Sequence, residues 1–296
     1  MKIGILGTGR MGAAIAERLL DSGHTLTVWN RSPEKTAALT QRGAQLAASP
    51  AEVVSHSDII LSVLTDAQAI ATAYAGPNGA LSGAVKGKLF IEMSTVRPAT
   101  QIALSEQIRA KQGAMLECPV GGTVGPARNG KLLGFVGGRQ EDLERARPLL
   151  EQMCRRFEHV GDIGAGASMK LAINLPLLVY WQALGEALAL AKPAGLSPER
   201  MLDILSDTSG APAILKVRSP AIISALSGAS LGAAQFNIDS IRKDLRTMIE
   251  EAQALGYELP TATAALSSFD SAAADGMGSK DGSEFAAWWL AHAGAK

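Results

Sequence analysis

The run Gly7-Thr8-Gly9-Arg10-Met11-Gly12 has the residue types that let a backbone close around a diphosphate. In a G-x-G-x-x-G spacing the first glycine permits a tight turn and the second lets main chain approach a pyrophosphate. The third allows a helix to pack closely on a strand, with the anion at the helix N-terminus. Further along, Trp29-Asn30-Arg31-Ser32 places a neutral amide where an acidic residue would accept a ribose 2′-hydroxyl, followed by a guanidinium and a hydroxyl. That combination favours a 2′-phosphate, so the expected cofactor is NADP rather than NAD. Two other runs suit a small anion. Ser94 and Thr95 follow an apolar run and offer hydroxyls and backbone N–H groups, and Gly121, Gly122 and Thr123 offer consecutive amides with little side-chain obstruction, a nest for a substrate carboxylate.

Such groups work only if a sheet presents them together. Residues 1 to about 160 alternate short aliphatic runs with helical patterns, the signature of βαβ units around a parallel sheet. The predicted strands are Lys2–Leu6, Thr25–Trp29, Ile59–Val63, Leu89–Glu92, Met115–Glu117 and Leu133–Val136. Between the first two, Ile15, Leu19 and Leu20 recur at helical spacing, closed by Gly23. After Gly161, Gly164 and Gly166 the pattern changes: Met169 through Lys192 reads as one helix, and strand signals then vanish. The expected fold class is α/β, a Rossmann-type, mostly parallel sheet domain over residues 1–162, followed by an all-α domain over residues 163–296. The active site is expected in the cleft between them.

Composition excludes several other classes. The chain has 296 residues with 28 basic against 28 acidic side chains, so it lacks the cationic surplus that phosphate-backbone binding needs, and no nucleic-acid partner is expected. With 47% hydrophobic and 19% charged residues, disorder as the main state is excluded. Two cysteines cannot build a disulfide framework, and four scattered histidines lack zinc spacing, so no metal is expected. The apolar stretch from Ser168 to Ala191 is broken by Lys170, Asn174, Gln182 and Glu186, which reads as a buried helix rather than a membrane span. No signal-peptide pattern precedes the first glycines, and a cytoplasmic location is expected.

Five blocks carry a resemblance: Gly7 to Gly12, Glu92 to Pro98, Pro119 to Gly122, Gly164 to Asn174, and Lys243-Asp244-Leu245. In these the chain resembles the β-hydroxyacid dehydrogenase family, which includes 3-hydroxyisobutyrate dehydrogenase and the glyoxylate/succinic semialdehyde reductases. The resemblance implies hydride transfer between NADPH and the carbonyl of a small semialdehyde acid or β-hydroxyacid. It makes Lys170 the catalytic residue, and the chemistry agrees: an ammonium can protonate the forming alkoxide, and the neutral amine can take the proton back in reverse. Asn174, four residues later on the same helical face, would orient the lysine or the substrate. By the same resemblance Thr95 touches the nicotinamide end, while Ser94, Gly121, Gly122 and Thr123 meet the substrate. Lys243 lies near the cofactor, Asp244 lies beside the Lys170 helix, and Met11, Leu64 and Thr65 pack along the cofactor. Many family members carry a serine where this sequence has Gly121. The resemblance also implies a homodimer or homotetramer. Two alternatives stay open. Imine reductases share the N-terminal fingerprint and the Trp29-Asn30-Arg31 strand end but usually replace the lysine. A non-catalytic NADP-binding protein would keep the two-domain body without turnover.

Overall fold

The computed structural model describes residues 1–292; the last four residues of the predicted second domain lie outside the described residues. In chain order the first part contains β1 (Lys2–Leu6), α1 (Arg10–Asp21), β2 (Thr25–Trp29), α2 (Ala37–Gln41), β3 (Gln45–Leu46), α3 (Pro50–Ser55), β4 (Ile59–Ser62), α4 (Ala67–Ala75), β5 (Leu89–Glu92), α5 (Pro98–Ala110), β6 (Ala114–Glu117), β7 (Val120–Gly121), α6 (Val124–Arg128), β8 (Leu132–Gly138), α7 (Gln140–Met153) and β9 (Cys154–Gly161). Then follow α8 (Ala165–Ala191), α9 (Pro198–Ser206), α10 (Ile214–Leu226), α11 (Ile238–Ala254), α12 (Pro260–Ala272) and α13 (Phe285–His292).

The nine strands form one sheet in the order β3-β2-β1-β4-β5-β6-β8-β7, with β9 on β8. From β3 to β6 every pairing is parallel; β8 runs antiparallel to β6 and β7, and β9 parallel to β8. The parallel part has the strand order of a doubly wound dinucleotide-binding sheet, whose ligand crevice opens where the order reverses, at β1 and β4. β4 and β5 are buried at every residue because helices cover both faces. Alternate residues serve separate cores: Ile3, Ile5, Leu61 and Ile91 pack on one side, and Leu6, Ile60, Phe90 and Met115 on the other.

Compact packing divides the chain into Met1–Leu171 and Ala172–Lys296, a division that falls inside α8. The opening turns of α8 therefore belong to the sheet unit. In the helical unit, α11 buries Ile238, Ile241, Leu245 and Met248 along one side, and the Asn237 side chain caps it by accepting from Ser240 N–H at 3.2 Å.

Several strand limits differ from those read in the sequence. β4 ends at Ser62, β6 starts at Ala114, and β8 extends over Leu132–Gly138. β9 was not expected at all. Its Arg155, Arg156, Glu158 and His159 are exposed at the sheet's margin, and such a strand carries no apolar alternation to announce it. The long helix starts at Ala165 and ends at Ala191, not at Met169 and Lys192.

The expectation of a buried helix is also corrected. By length and composition α8 could cross a bilayer, and 44% of its most apolar window is buried. Leu171, Asn174, Leu178, Trp181, Leu184 and Leu188 are buried at helical spacing, while Met169, Ile173 and Leu190 on other faces are exposed. A long helix packed within its own chain on one stripe leaves the rest of its circumference open.

Candidate active site

The glycine turn is built by close approach. Gly7 has φ of 94°, and a Cβ there would lie 2.4 Å from the Val63 carbonyl oxygen. A Cβ on Gly12 would lie 2.0 Å from the Gly7 carbonyl oxygen, so only glycine lets α1 start this near β1. Gly9 differs: it is exposed, and a Cβ there would meet nothing within 4 Å. The space above Gly9 is open, and α1 begins there without a side-chain cap. A turn with tight packing beneath and open space above the start of a helix fits a pyrophosphate.

The strand-end residues divide the work. Asn30 accepts from Thr8 N–H at 3.0 Å through Oδ1 and donates from Nδ2 to the Ser32 carbonyl at 2.9 Å. Its amide is thus spent on the protein, tying the glycine turn to the end of β2. Arg31 is exposed beyond it and Ser32 is half-buried. Arg10 is exposed at the first position of α1, and Met11 is partly buried against the core.

The neighbouring strand ends continue along the same edge. Leu6 pairs with Ser62, Ser62 with Glu92, and Glu92 with Glu117, one residue from each of four adjacent strands. Three strand spacings span roughly 14 Å. Beyond Ser62, Leu64 N–H donates to Ser94 Oγ at 2.8 Å, and Ser94 N–H donates to Glu92 Oε1 at 2.6 Å. Ser94 is buried and links the two loops; Thr65 is exposed and Thr95 half-buried on them. Gly121 ends β7, and Gly122 follows at φ of 125°, with Thr123 leading into α6.

Sequence reasoning did not single out Glu92 and Glu117, both fully buried. Glu92 also accepts from Ser62 Oγ at 2.5 Å, and Ser62 meets the Tyr74 hydroxyl at 2.7 Å. Glu117 accepts from the backbone N–H groups of Gly164 at 2.6 Å, Gly166 at 2.8 Å and Ala167 at 3.3 Å. Burial pushes the Glu92 carboxyl up to about 7 against its hydrogen bonds, and burial pushes Glu117 up to about 7 as well. Their signal was available: each is an acid closing an otherwise apolar strand.

Lys170, only 8% exposed, lies one turn beyond the groups that Glu117 holds, and Asn174, equally buried, lies a further turn along the same helix. Within the helical unit Asn174 Nδ2 donates to Asp244 Oδ2 at 3.3 Å, and Lys243 Nζ pairs with Asp244 Oδ1 at 2.5 Å. Among the described residues, no group of three or more His, Cys, Asp or Glu is placed to hold a metal ion.

Residues 2–161 match the model of the NAD binding domain of 6-phosphogluconate dehydrogenase, and residues 164–289 match that of the NAD-binding domain of NADP-dependent 3-hydroxyisobutyrate dehydrogenase. The chain belongs to the β-hydroxyacid dehydrogenase family. It is 32% identical over 281 residues to glyoxylate/succinic semialdehyde reductase 1 of Arabidopsis thaliana, covering 95% of this chain and 96% of that one. To 3-hydroxyisobutyrate dehydrogenase of Pseudomonas aeruginosa it is 34% identical over 260 residues, covering 87% of each. A solved 3-hydroxyisobutyrate dehydrogenase of Mycobacterium tuberculosis, with L-serine, superposes at a TM-score of 0.84 and 27% identity, covering 96% of this chain and 97% of that one. Imine reductases are more distant: that of Myxococcus stipitatus shares the fold at a TM-score of 0.65 and 21% identity. This β-hydroxyacid dehydrogenase therefore pairs a nicotinamide-dinucleotide fold with a helical domain of the same family.

Proposed function

We propose that the protein is an NADP-dependent oxidoreductase acting on the carbonyl of a small semialdehyde acid, or on the corresponding β-hydroxyacid, with Lys170 as general acid and base. The observation that carries this reading is the row of strand ends Leu6, Ser62, Glu92 and Glu117. The diphosphate-binding turn follows the first of them, and the helix bearing Lys170 is held by the last. The row spans roughly 14 Å, the scale needed to reach from a pyrophosphate to a reacting ring.

When bound, the dinucleotide supplies a hydride equivalent to the substrate carbon. The protein does the rest. Gly7, Gly9 and Gly12 shape the turn for the pyrophosphate, with Arg10 and Met11 at the helix start, and Arg31 and Ser32 offer a guanidinium and a hydroxyl to a 2′-phosphate. Leu64, Thr65 and Thr95 border the dinucleotide. Ser94, Gly121, Gly122 and Thr123 orient the substrate carboxylate. Lys170 donates a proton to the carbonyl oxygen as it gains charge, and Asn174, itself bonded to Asp244, keeps the lysine and substrate aligned. An amine placed for proton transfer favours carbonyl reduction over the imine reaction, whose product nitrogen starts from an already protonated substrate.

The test is oxidation of NADPH and of NADH against glyoxylate, succinic semialdehyde, methylmalonate semialdehyde and a cyclic imine, with Lys170→Ala alongside. Turnover of an aldehyde acid with NADPH, lowered by roughly 10²- to 10⁴-fold in the variant, is the expected result. Near-normal turnover by Lys170→Ala rejects the lysine's role, and turnover of the imine alone rejects the substrate class.

A further inference from the structure

The buried carboxylate of Glu117 has no place in the proton transfer, yet three residues are shaped around it. A Cβ on Gly137 would lie 2.2 Å from Glu117 Oε1, and one on Gly166 would lie 3.2 Å from the same oxygen and 2.5 Å from the Phe135 carbonyl oxygen. Gly164, at φ of 104°, turns the chain so that its own N–H faces the carboxylate. The first turn of a helix leaves N–H groups without intrahelical acceptors, and here a side chain from the sheet takes three that cluster there. Gly166, Lys170 and Asn174 follow one another at four-residue steps, so they share one helical face. Holding Gly166 therefore fixes the rotation and height at which Lys170 leaves the helix, about 6 Å further along the axis.

We propose that Glu117 is a positioning residue for the Lys170 turn: its carboxylate anchors the start of α8 to the end of β6 and so sets where the ammonium stands. The proposal rests on Lys170 being the proton donor. An anion at a helix N-terminus is favoured by the helix dipole, which adds to the three hydrogen bonds. Burial opposes it, placing the carboxyl's protonation near neutral pH. Titratable groups beside Glu117 include Glu92 on β5 and Cys118 next to it in the chain, and Gly137 of β8 lies against its carboxylate. When the carboxyl takes a proton, one of its oxygens becomes a donor facing N–H donors, and the anchor loosens.

The experiment compares wild type with Glu117→Gln by steady-state kinetics across pH, using the aldehyde acid turned over best with NADPH, and by amide hydrogen exchange over residues 163–171. The amide of glutamine keeps one acceptor oxygen but opposes an N–H with its own NH₂ group. The expected result for Glu117→Gln is a kcat lowered by roughly 10- to 100-fold, with KM for NADPH within about 3-fold. Wild-type kcat should fall below about pH 7 while the variant's profile stays flat through that range. In the wild type itself, with no variant needed, exchange protection of residues 163–171 should weaken as pH drops through the same range. Unchanged kcat and profile in the variant overturn the proposal, as does faster exchange in this segment with kcat intact. Wild-type protection that does not depend on pH overturns it too. A wild type inactive on every substrate would refute the proposed reaction, and the exchange measurement would still decide whether Glu117 holds the turn.

Discussion

Replacing Glu92 by glutamine should make the protein more stable at alkaline pH. Glu92 is fully buried between Ser62 and Ser94, and burial lifts its carboxyl from the usual 4.5 to about 7. A carboxyl raised on folding binds a proton in the native state that the unfolded chain has already released. Between the two values the native state holds more protons, so stability falls as pH rises and levels off above about 7. At about 1.4 kcal/mol for each pH unit, the full loss for this one group is on the order of 3 kcal/mol. Glutamine escapes it. Its oxygen can accept from Ser94 N–H as Oε1 does now, and its NH₂ can donate to Ser62 Oγ, which then turns its own proton to the Tyr74 hydroxyl.

The assay is urea unfolding of wild type and Glu92→Gln from about pH 5 to about pH 8.5, read as the difference between the two proteins. Taking the difference removes most of the contribution of Glu117, whose carboxyl is raised mainly by burial and in smaller part by Glu92. The stability difference should move in the variant's favour by about 2.5 kcal/mol over that range, a midpoint shift of roughly 1 M urea at an m-value of about 2 kcal/mol/M. A difference that stays constant with pH would refute the reasoning, because it would mean that Glu92 holds the same charge folded and unfolded.

Two further outcomes follow from the dinucleotide turn. Gly12→Ala brings a Cβ to 2.0 Å from the Gly7 carbonyl oxygen, so α1 must move away from β1; NADPH affinity by fluorescence titration should fall at least ~10-fold, with stability lowered by about 1–3 kcal/mol. Arg31→Ala should cut kcat/KM with NADPH by roughly 10- to 100-fold while leaving NADH kinetics nearly unchanged, since an exposed guanidinium contributes through a charge-assisted contact to the 2′-phosphate; equal losses with both coenzymes would contradict that assignment.

What could be read in advance follows from what each signal encodes. The glycine turn was legible because Gly7 and Gly12 are glycine for steric reasons that depend only on local spacing. The interior strands were legible because burial on both faces leaves a continuous apolar run. β9 was not, because an exposed strand rich in arginine is held by its pairing to β8, a long-range fact. The role of Asn30 was only half legible. Its position at the strand end was plain, but its hydrogen bonds to Thr8 and Ser32 depend on how the turn folds back. The first turn of α8 was missed, the helix being read only from Met169, because glycines at 164 and 166 disfavour helix, a local preference overridden by a carboxylate that lies 47 residues earlier in the chain.

Glu92 and Glu117 occupy neighbouring register positions and answer one difficulty twice. Loops leaving the ends of parallel strands must fold back over the sheet, and their N–H groups would be orphaned there. A glutamate at the final strand position reaches just far enough to accept from them. The two sites differ in what they offer. Glu92 faces the Ser62 and Ser94 hydroxyls, which can reverse their direction, beside the N–H groups of Ser94 and Met93, so an amide can serve there. Glu117 faces three N–H groups that can only donate, which calls for a side chain with acceptors alone. The same Glu→Gln change should therefore relieve charge at no structural loss in one position and disturb the Lys170 turn in the other. Equal behaviour of the two variants, in stability and in kcat, would show that hydrogen-bond direction is not what selects glutamate at this edge of the sheet.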